Sequence, residues 1–173
     1  MNINDYGFVR VAAASPKLKV ADCDYNTTQI KQLIDDAVKQ NVQFLCFPEL
    51  SITGYTCADL FFQTALQRKA IASLMELVSF MKDKPSLISM VGLPLVHKNN
   101  LYNVAAVISA EGILGFVPKQ EIPNHSEFYE KRWFTSGIDI HDETVDFQRG
   151  EVETDSENLY FDKWSYNMQV EYL

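Results

Sequence analysis

The chain has 173 residues and carries 15 basic against 23 acidic side chains, a formal charge of −8 at pH 7 with histidine neutral. Hydrophobic residues make up 47% and charged ones 22%, enough apolar material for the core of one globular domain and too much for disorder by composition. The acidic balance, without a cluster of Lys and Arg, argues against a nucleic-acid or anionic-membrane surface, and no apolar run reaches the ~18 residues of a membrane span.

The polar start, Met1 to Tyr6, lacks the basic-then-apolar pattern of a signal peptide, so a cytoplasmic protein is expected. Cys23, Cys46 and Cys57 are odd in number and show no CxxC or histidine-rich spacing; reduced thiols are expected, and no metal site.

Gly7 to Ala14 is a short apolar run ending before Ser15-Pro16, which predicts a first buried strand. Asn26 and Thr27 offer a helix cap, after which Ile30, Leu33, Ile34, Ala37 and Val38 recur at helical spacing. Val42 to Phe47 predicts a second buried strand, stopped by Pro48, which cannot donate to a ladder. Ala58 to Met81 combines good helix formers with a helical apolar stripe and predicts a second helix.

Leu87 to Val96 reads as a central strand, His97 to Asn100 as a turn, and Leu101 to Ser109 as the next strand. Ala110-Glu111-Gly112 signals a hairpin that returns as Ile113 to Val117, ended by Pro118. Strands alternating with helices and then a meander predict a two-layer α/β domain, with a mixed sheet covered by helices on one face. Glu151 to Glu157 reads as a solvated loop. Trp164, Tyr166, Met168, Val170 and Tyr172 alternate with polar residues, the pattern of a half-buried strand.

Glu49 stands in FPEL just past the second strand, where open α/β sheets place ligand-binding groups. The simpler reading of FPEL alone is a solvated strand-end carboxylate. Lys119, in VPKQEIP, repeats the arrangement after another strand, either as a snorkelling surface lysine or as a partner for Glu49 at one rim of the sheet. Cys46 reads as a small core residue. Cys57, ahead of a helix, reads as an unreactive thiol or, less simply, an activated one. His97, His125 and His141 are scattered among loop-like positions and read as solvated or locally hydrogen-bonded groups.

Several ordered motifs, FPELSITGY at 47–55, GLPL at 92–95, LYNVAAVI at 101–108 and VPKQEIPNHSEFYEKRWFTSG at 117–137, resemble the carbon–nitrogen hydrolase (nitrilase) superfamily. SITGYTCADLFFQ and EFYEKRWF resemble, within it, the amidase domain of glutamine-dependent NAD synthetases. The resemblance implies a nitrilase-type αββα sandwich, a partial glutaminase domain over 1–173 that is incomplete at its C-terminus, and a Cys-Glu-Lys mechanism that frees ammonia from glutamine.

By that resemblance Glu49 is the general base and Lys119 the oxyanion-stabilising lysine. Glu130 orients the lysine and substrate, and Tyr129 and Phe128 line the pocket. Read from the residues alone, Glu130 is a helix-surface carboxylate paired with Lys131 or Arg132, and the two aromatics pack under a loop. The family's V-E-I-C pattern aligns with Val170 to Leu173, so a leucine stands where the nucleophile belongs. The amidase reaction implies no cofactor; ATP and magnesium belong to a synthetase domain whose SGGxDS loop this sequence lacks. Glutamine, that synthetase domain and further copies of the chain are the implied partners. A stand-alone amidase on another linear amide and a noncatalytic interaction module remain the competing readings.

Overall fold

The computed structural model describes residues 6–140, 143–147 and 164–168. Its strands are β1 (Val11–Ala13), β2 (Phe44–Cys46), β3 (Ile88–His97), β4 (Asn100–Ser109), β5 (Gly112–Pro118), β6 (Glu143–Phe147) and β7 (Trp164–Met168). Two helices, α1 (Cys23–Lys39) and α2 (Thr64–Met81), and two short 3-10 turns, Ala58–Phe62 and Glu130–Arg132, complete it.

The strands form one mixed sheet in the order β1-β2-β3-β4-β5-β7-β6. β1, β2 and β3 pair in parallel, and β3, β4 and β5 form an antiparallel meander. Two tight turns build the meander: Lys98 and Asn99 adopt φ +47° and +63° in the first, and Gly112, at φ +126°, opens the strand after the second. β2, β3 and β5 therefore run the same way, so the ends of β2 and β5 reach one rim of the sheet. They do not pair with each other, because β3 and β4 lie between them.

The register puts Val91 opposite Ala106, Leu93 opposite Val104 and Leu95 opposite Tyr102, all buried. α2 packs on β3, β4 and β5, and α1 lies beside α2, with Ile30, Ile34, Leu74, Leu77 and Met81 fully buried between the layers. Helices cover one face, as the sequence pattern predicts. The other face leaves Val11, Phe44 and Val117 exposed.

Four expectations change. The first strand is three residues long rather than Gly7 to Ala14, and it is an exposed edge, since among the described residues only β2 pairs with it. The second strand is likewise three residues, and only Leu45 is buried; the pleat turns Phe44 and Cys46 to the open face, so Cys46 is exposed and not a core residue. α1 starts earlier than predicted, capped by Asp22, whose Oδ1 accepts from Tyr25 N at 3.1 Å. Asn26 is instead buried inside it, its amide spanning Lys19 and the Ile52 carbonyl.

The second predicted helix is broken by Gln63, whose extended ψ of 121° separates Ala58–Phe62 from α2. The stretch 164–172 contains β7; Val170 and Tyr172, with Glu151 to Glu157, His141 and Leu173, lie outside the described residues.

Candidate active site

Past β2 the chain folds across β3 at Gly92. A Cβ there would lie 2.3 Å from Leu50 N and 2.7 Å from the Pro48 carbonyl, so only glycine admits the crossing. Ile52 N donates to the Gly92 carbonyl at 3.0 Å, and Gly92 N donates to Ser51 Oγ at 3.1 Å. Leu50, at φ +53°, turns the backbone left-handed and accepts from Thr53 N and Gly54 N. These bonds pin Glu49 to the rim.

Lys119 is fixed by extension of the β4–β5 ladder: its N donates to the Asn103 carbonyl at 2.8 Å, and its own carbonyl accepts from Gly137 N at 2.9 Å. Glu130 opens its 3-10 turn and donates its backbone N–H to the Pro123 carbonyl.

The three side chains converge. Lys119 Nζ lies 2.8 Å from Glu49 Oε2 and 3.0 Å from Glu130 Oε1. Asn103 Nδ2 donates to Glu49 Oε2 at 3.0 Å, and the Tyr55 hydroxyl donates to Glu130 Oε1. Glu130 is 3% exposed and Glu49 49%, so one carboxylate is sealed in and the other is open to a substrate or water. Glu130 Oε2 is buried without a hydrogen-bond partner among the described residues.

Burial opposes the Lys119 charge, but bonds from Glu49 and Glu130 outweigh it and hold the ammonium's pKa above 10.5. Partial burial, with the Glu130 carboxylate behind it, pushes the Tyr55 phenol well above its ordinary range. The cluster therefore holds a permanent cation between two carboxylates and a phenol that stays a donor.

An open cavity of about 560 Å³ adjoins it, with Lys119, Ile122, His125 and Lys131 in its lining. Phe128 and Tyr129 are not in that lining: Phe128 sits with its ring 6.0 Å from His125, and Tyr129 is 62% exposed. Glu130 is not the surface partner of Lys131 or Arg132. Arg132 instead donates through Nε and Nη2 to Asp59, each at 2.7 Å.

Cys23 and Cys57 are buried, and Cys57 Sγ lies within hydrogen-bonding distance of the Thr53 and Gly54 carbonyls. Burial pushes the Cys57 thiol up and the Cys23 thiol to about 12, the opposite of activation. His97 ends β3 and His125 lines the cavity. Among the described residues no group of three or more His, Cys, Asp or Glu could hold a metal ion, and no helix is long and apolar enough to cross a membrane. Sequence reasoning missed Tyr55, Asn103 and Asp59, although each stands inside a quoted motif, SITGY, LYNVAAVI and CADLFFQ.

The carbon-nitrogen hydrolase family model matches residues 9–155. The glutamine-dependent NAD(+) synthetase of Mycobacterium bovis is 35% identical over 133 residues, which are 76% of this chain and 19% of that protein. Among solved structures, a glutamine-dependent NAD(+) synthetase from Cytophaga hutchinsonii superposes with a TM-score of 0.73 at 28% identity, over 91% of this chain and 25% of that one. An amidase from Nesterenkonia sp. shares the fold at 19% identity and a TM-score of 0.66, over 80% of this chain and 51% of that one. The chain thus spans about a fifth to a quarter of the length of the synthetases it matches.

Proposed function

The chain belongs to the carbon–nitrogen hydrolase family, and from that premise we propose that it forms the acid–base half of a glutaminase site whose ammonia feeds an ATP-dependent amidation of deamido-NAD. The observation that carries the reading is one lysine ammonium bridging an open carboxylate, Glu49, and a sealed one, Glu130.

In this reaction Glu49 takes the proton of a cysteine thiol as the thiolate attacks the amide carbonyl of glutamine. The developing oxyanion is met by the Lys119 ammonium. Glu49 passes its proton to the departing ammonia, and then activates the water that opens the glutamyl thioester. Glu130 keeps Lys119 oriented, and its unpartnered Oε2 awaits a donor on the substrate.

Cys23 and Cys57 are buried thiols pushed up by burial, and Leu173 has no nucleophilic atom; the proposed reaction needs a cysteine thiol that none of these positions supplies. The hydrolytic half needs side chains and water, while ATP and magnesium serve the amidation step. A cytoplasmic location and assembly of several copies complete the proposal.

A diazoketone analogue of glutamine, added to the longest natural form of the protein and read by intact mass, tests it. We expect one covalent adduct in the wild type and none with Glu49→Gln or Lys119→Ala. Labelling that ignores both substitutions contradicts the assignment. Faster turnover of a simple aliphatic amide than of glutamine points instead to a stand-alone amidase.

A further inference from the structure

Asp59 lies outside the reacting groups, yet its carboxylate collects three donors from the two residues that follow the Glu130–Lys131 step. Arg132 Nε reaches Oδ1 and Nη2 reaches Oδ2, both at 2.7 Å, and Trp133 Nε1 reaches Oδ1 at 2.9 Å. Beneath this clamp the buried Phe61 ring meets Trp133 at 6.1 Å and Phe134 at 5.0 Å. The backbone N–H groups of Trp133 and Phe134 donate to the Glu130 carbonyl. The segment bearing Asp59 and the turn bearing Glu130 are thus joined at Tyr55–Glu130, at Asp59–Arg132–Trp133 and at Phe61.

We propose that Asp59 is a positioning residue: by clamping Arg132 and Trp133 it sets the distance at which the Glu130 carboxylate meets both Tyr55 and Lys119. With Asp59 at 60% and Arg132 at 58% exposure, such a pair adds little to global stability. Its effect is geometric. A forked guanidinium contact fixes direction as well as distance, and Glu130 sits only two residues from Arg132, so a tilt of the turn is felt at Oε1. The Asp59 carboxyl is held well below the usual range, first by Arg132 and then by Trp133.

The inference rests on the proposed role of Glu130 and Lys119, but its test reads no hydrolysis. Carbon-13 labelled at the tyrosine Cζ reports, at neutral pH, the hydrogen bond each phenol donates, and Tyr55→Phe assigns the Tyr55 signal. In Asp59→Ala, with circular dichroism confirming the fold, the Tyr55 resonance at neutral pH is expected to move from its wild-type position toward that of a solvent-exposed tyrosine, as Glu130 withdraws from the phenol. Asp59→Glu is expected to restore most of the shift. If Asp59→Ala does not fold, Trp133→Phe removes one donor, keeps an aromatic ring on Phe61 and is read the same way. A Tyr55 resonance unchanged in the folded variant overturns the proposal. A shifted Tyr55 in a protein that releases no ammonia from glutamine leaves the positioning role intact and removes the glutaminase reading.

Discussion

Lys119 meets Glu130 at 3.0 Å, and because Glu130 is sealed from solvent while the lysine's other partner, Glu49, is half open, the ammonium is shared between a fixed carboxylate and an accessible one. The asymmetry separates two roles that sequence alone leaves merged. A sealed carboxylate cannot exchange protons with water freely; an open one can.

That asymmetry predicts unequal costs of substitution. Lys119→Met leaves Glu130 buried without its cation, which destabilises a fold by about 3–5 kcal/mol when the pair is fully buried and somewhat less here. Glu49→Gln removes a half-exposed partner and is expected to cost about 1 kcal/mol or less. Urea unfolding of the two variants checks the order; equal losses contradict it.

Tyr55→Phe removes one donor to Glu130 Oε1 and leaves Lys119 in place. Hydrogen bonds to charged groups contribute about 1.5–3 kcal/mol, so on the proposed glutaminase reading glutamine turnover is expected to fall by about 10- to 100-fold. Steady-state kinetics read this, and an unchanged kcat places Tyr55 outside the machinery.

Gly92→Ala drives a methyl into the backbone of Pro48, Glu49 and Leu50. None of these atoms belongs to a flexible side chain, so the crossing loop must lift. A loss of about 3 kcal/mol or more is expected, at or above the usual range for overpacking. Thermal unfolding measures it, and the lifted loop carries Glu49 away from Lys119.

Stability is expected to fall at alkaline pH for a definite reason. Cys23 is raised from 9.0 to about 12 by burial, Cys57 is raised by burial, and Lys119 is held above 10.5 by its carboxylates. Each group holds its proton more tightly folded than unfolded. Their contribution is therefore complete below the unfolded values and is lost as pH rises through the folded ones. The decline starts near 9.0, where the unfolded thiols begin to ionise, at about 1.4 kcal/mol per pH unit for each shifted group. Cys23→Ala flattens its first part; a profile level to pH 11 contradicts the assignment.

The parts of the fold written by local chemistry were legible. The apolar runs of β3, β4 and β5 and the turn signals between them give the meander, and the helical spacing of Ile30, Ile34 and Ala37 gives α1. Glu49 and Lys119 were legible as rim residues because prolines end their strands. β1 and β2 misled, since a short apolar run is read as buried on both faces when only Ala12 and its register partner Leu45 face the core. Asn26 looked like a cap, yet its amide is used by Lys19 and Ile52 at a distance that no local pattern encodes. Tyr55 and Asp59 were invisible for the same reason: their partners, Glu130, Arg132 and Trp133, stand 73 to 75 residues further along the chain. Leu173 and the tail around it lie outside the described residues.

The most direct measurement is release of labelled ammonia from amide-15N glutamine by the longest natural form of the protein, beside Glu49→Gln, Lys119→Ala and Glu130→Gln. The account predicts release by the wild type and a loss of about 1,000-fold or more in the Glu49 and Lys119 variants, as expected when a general base or an oxyanion-stabilising group is removed. Release that survives both substitutions, or a wild type that releases none, contradicts it.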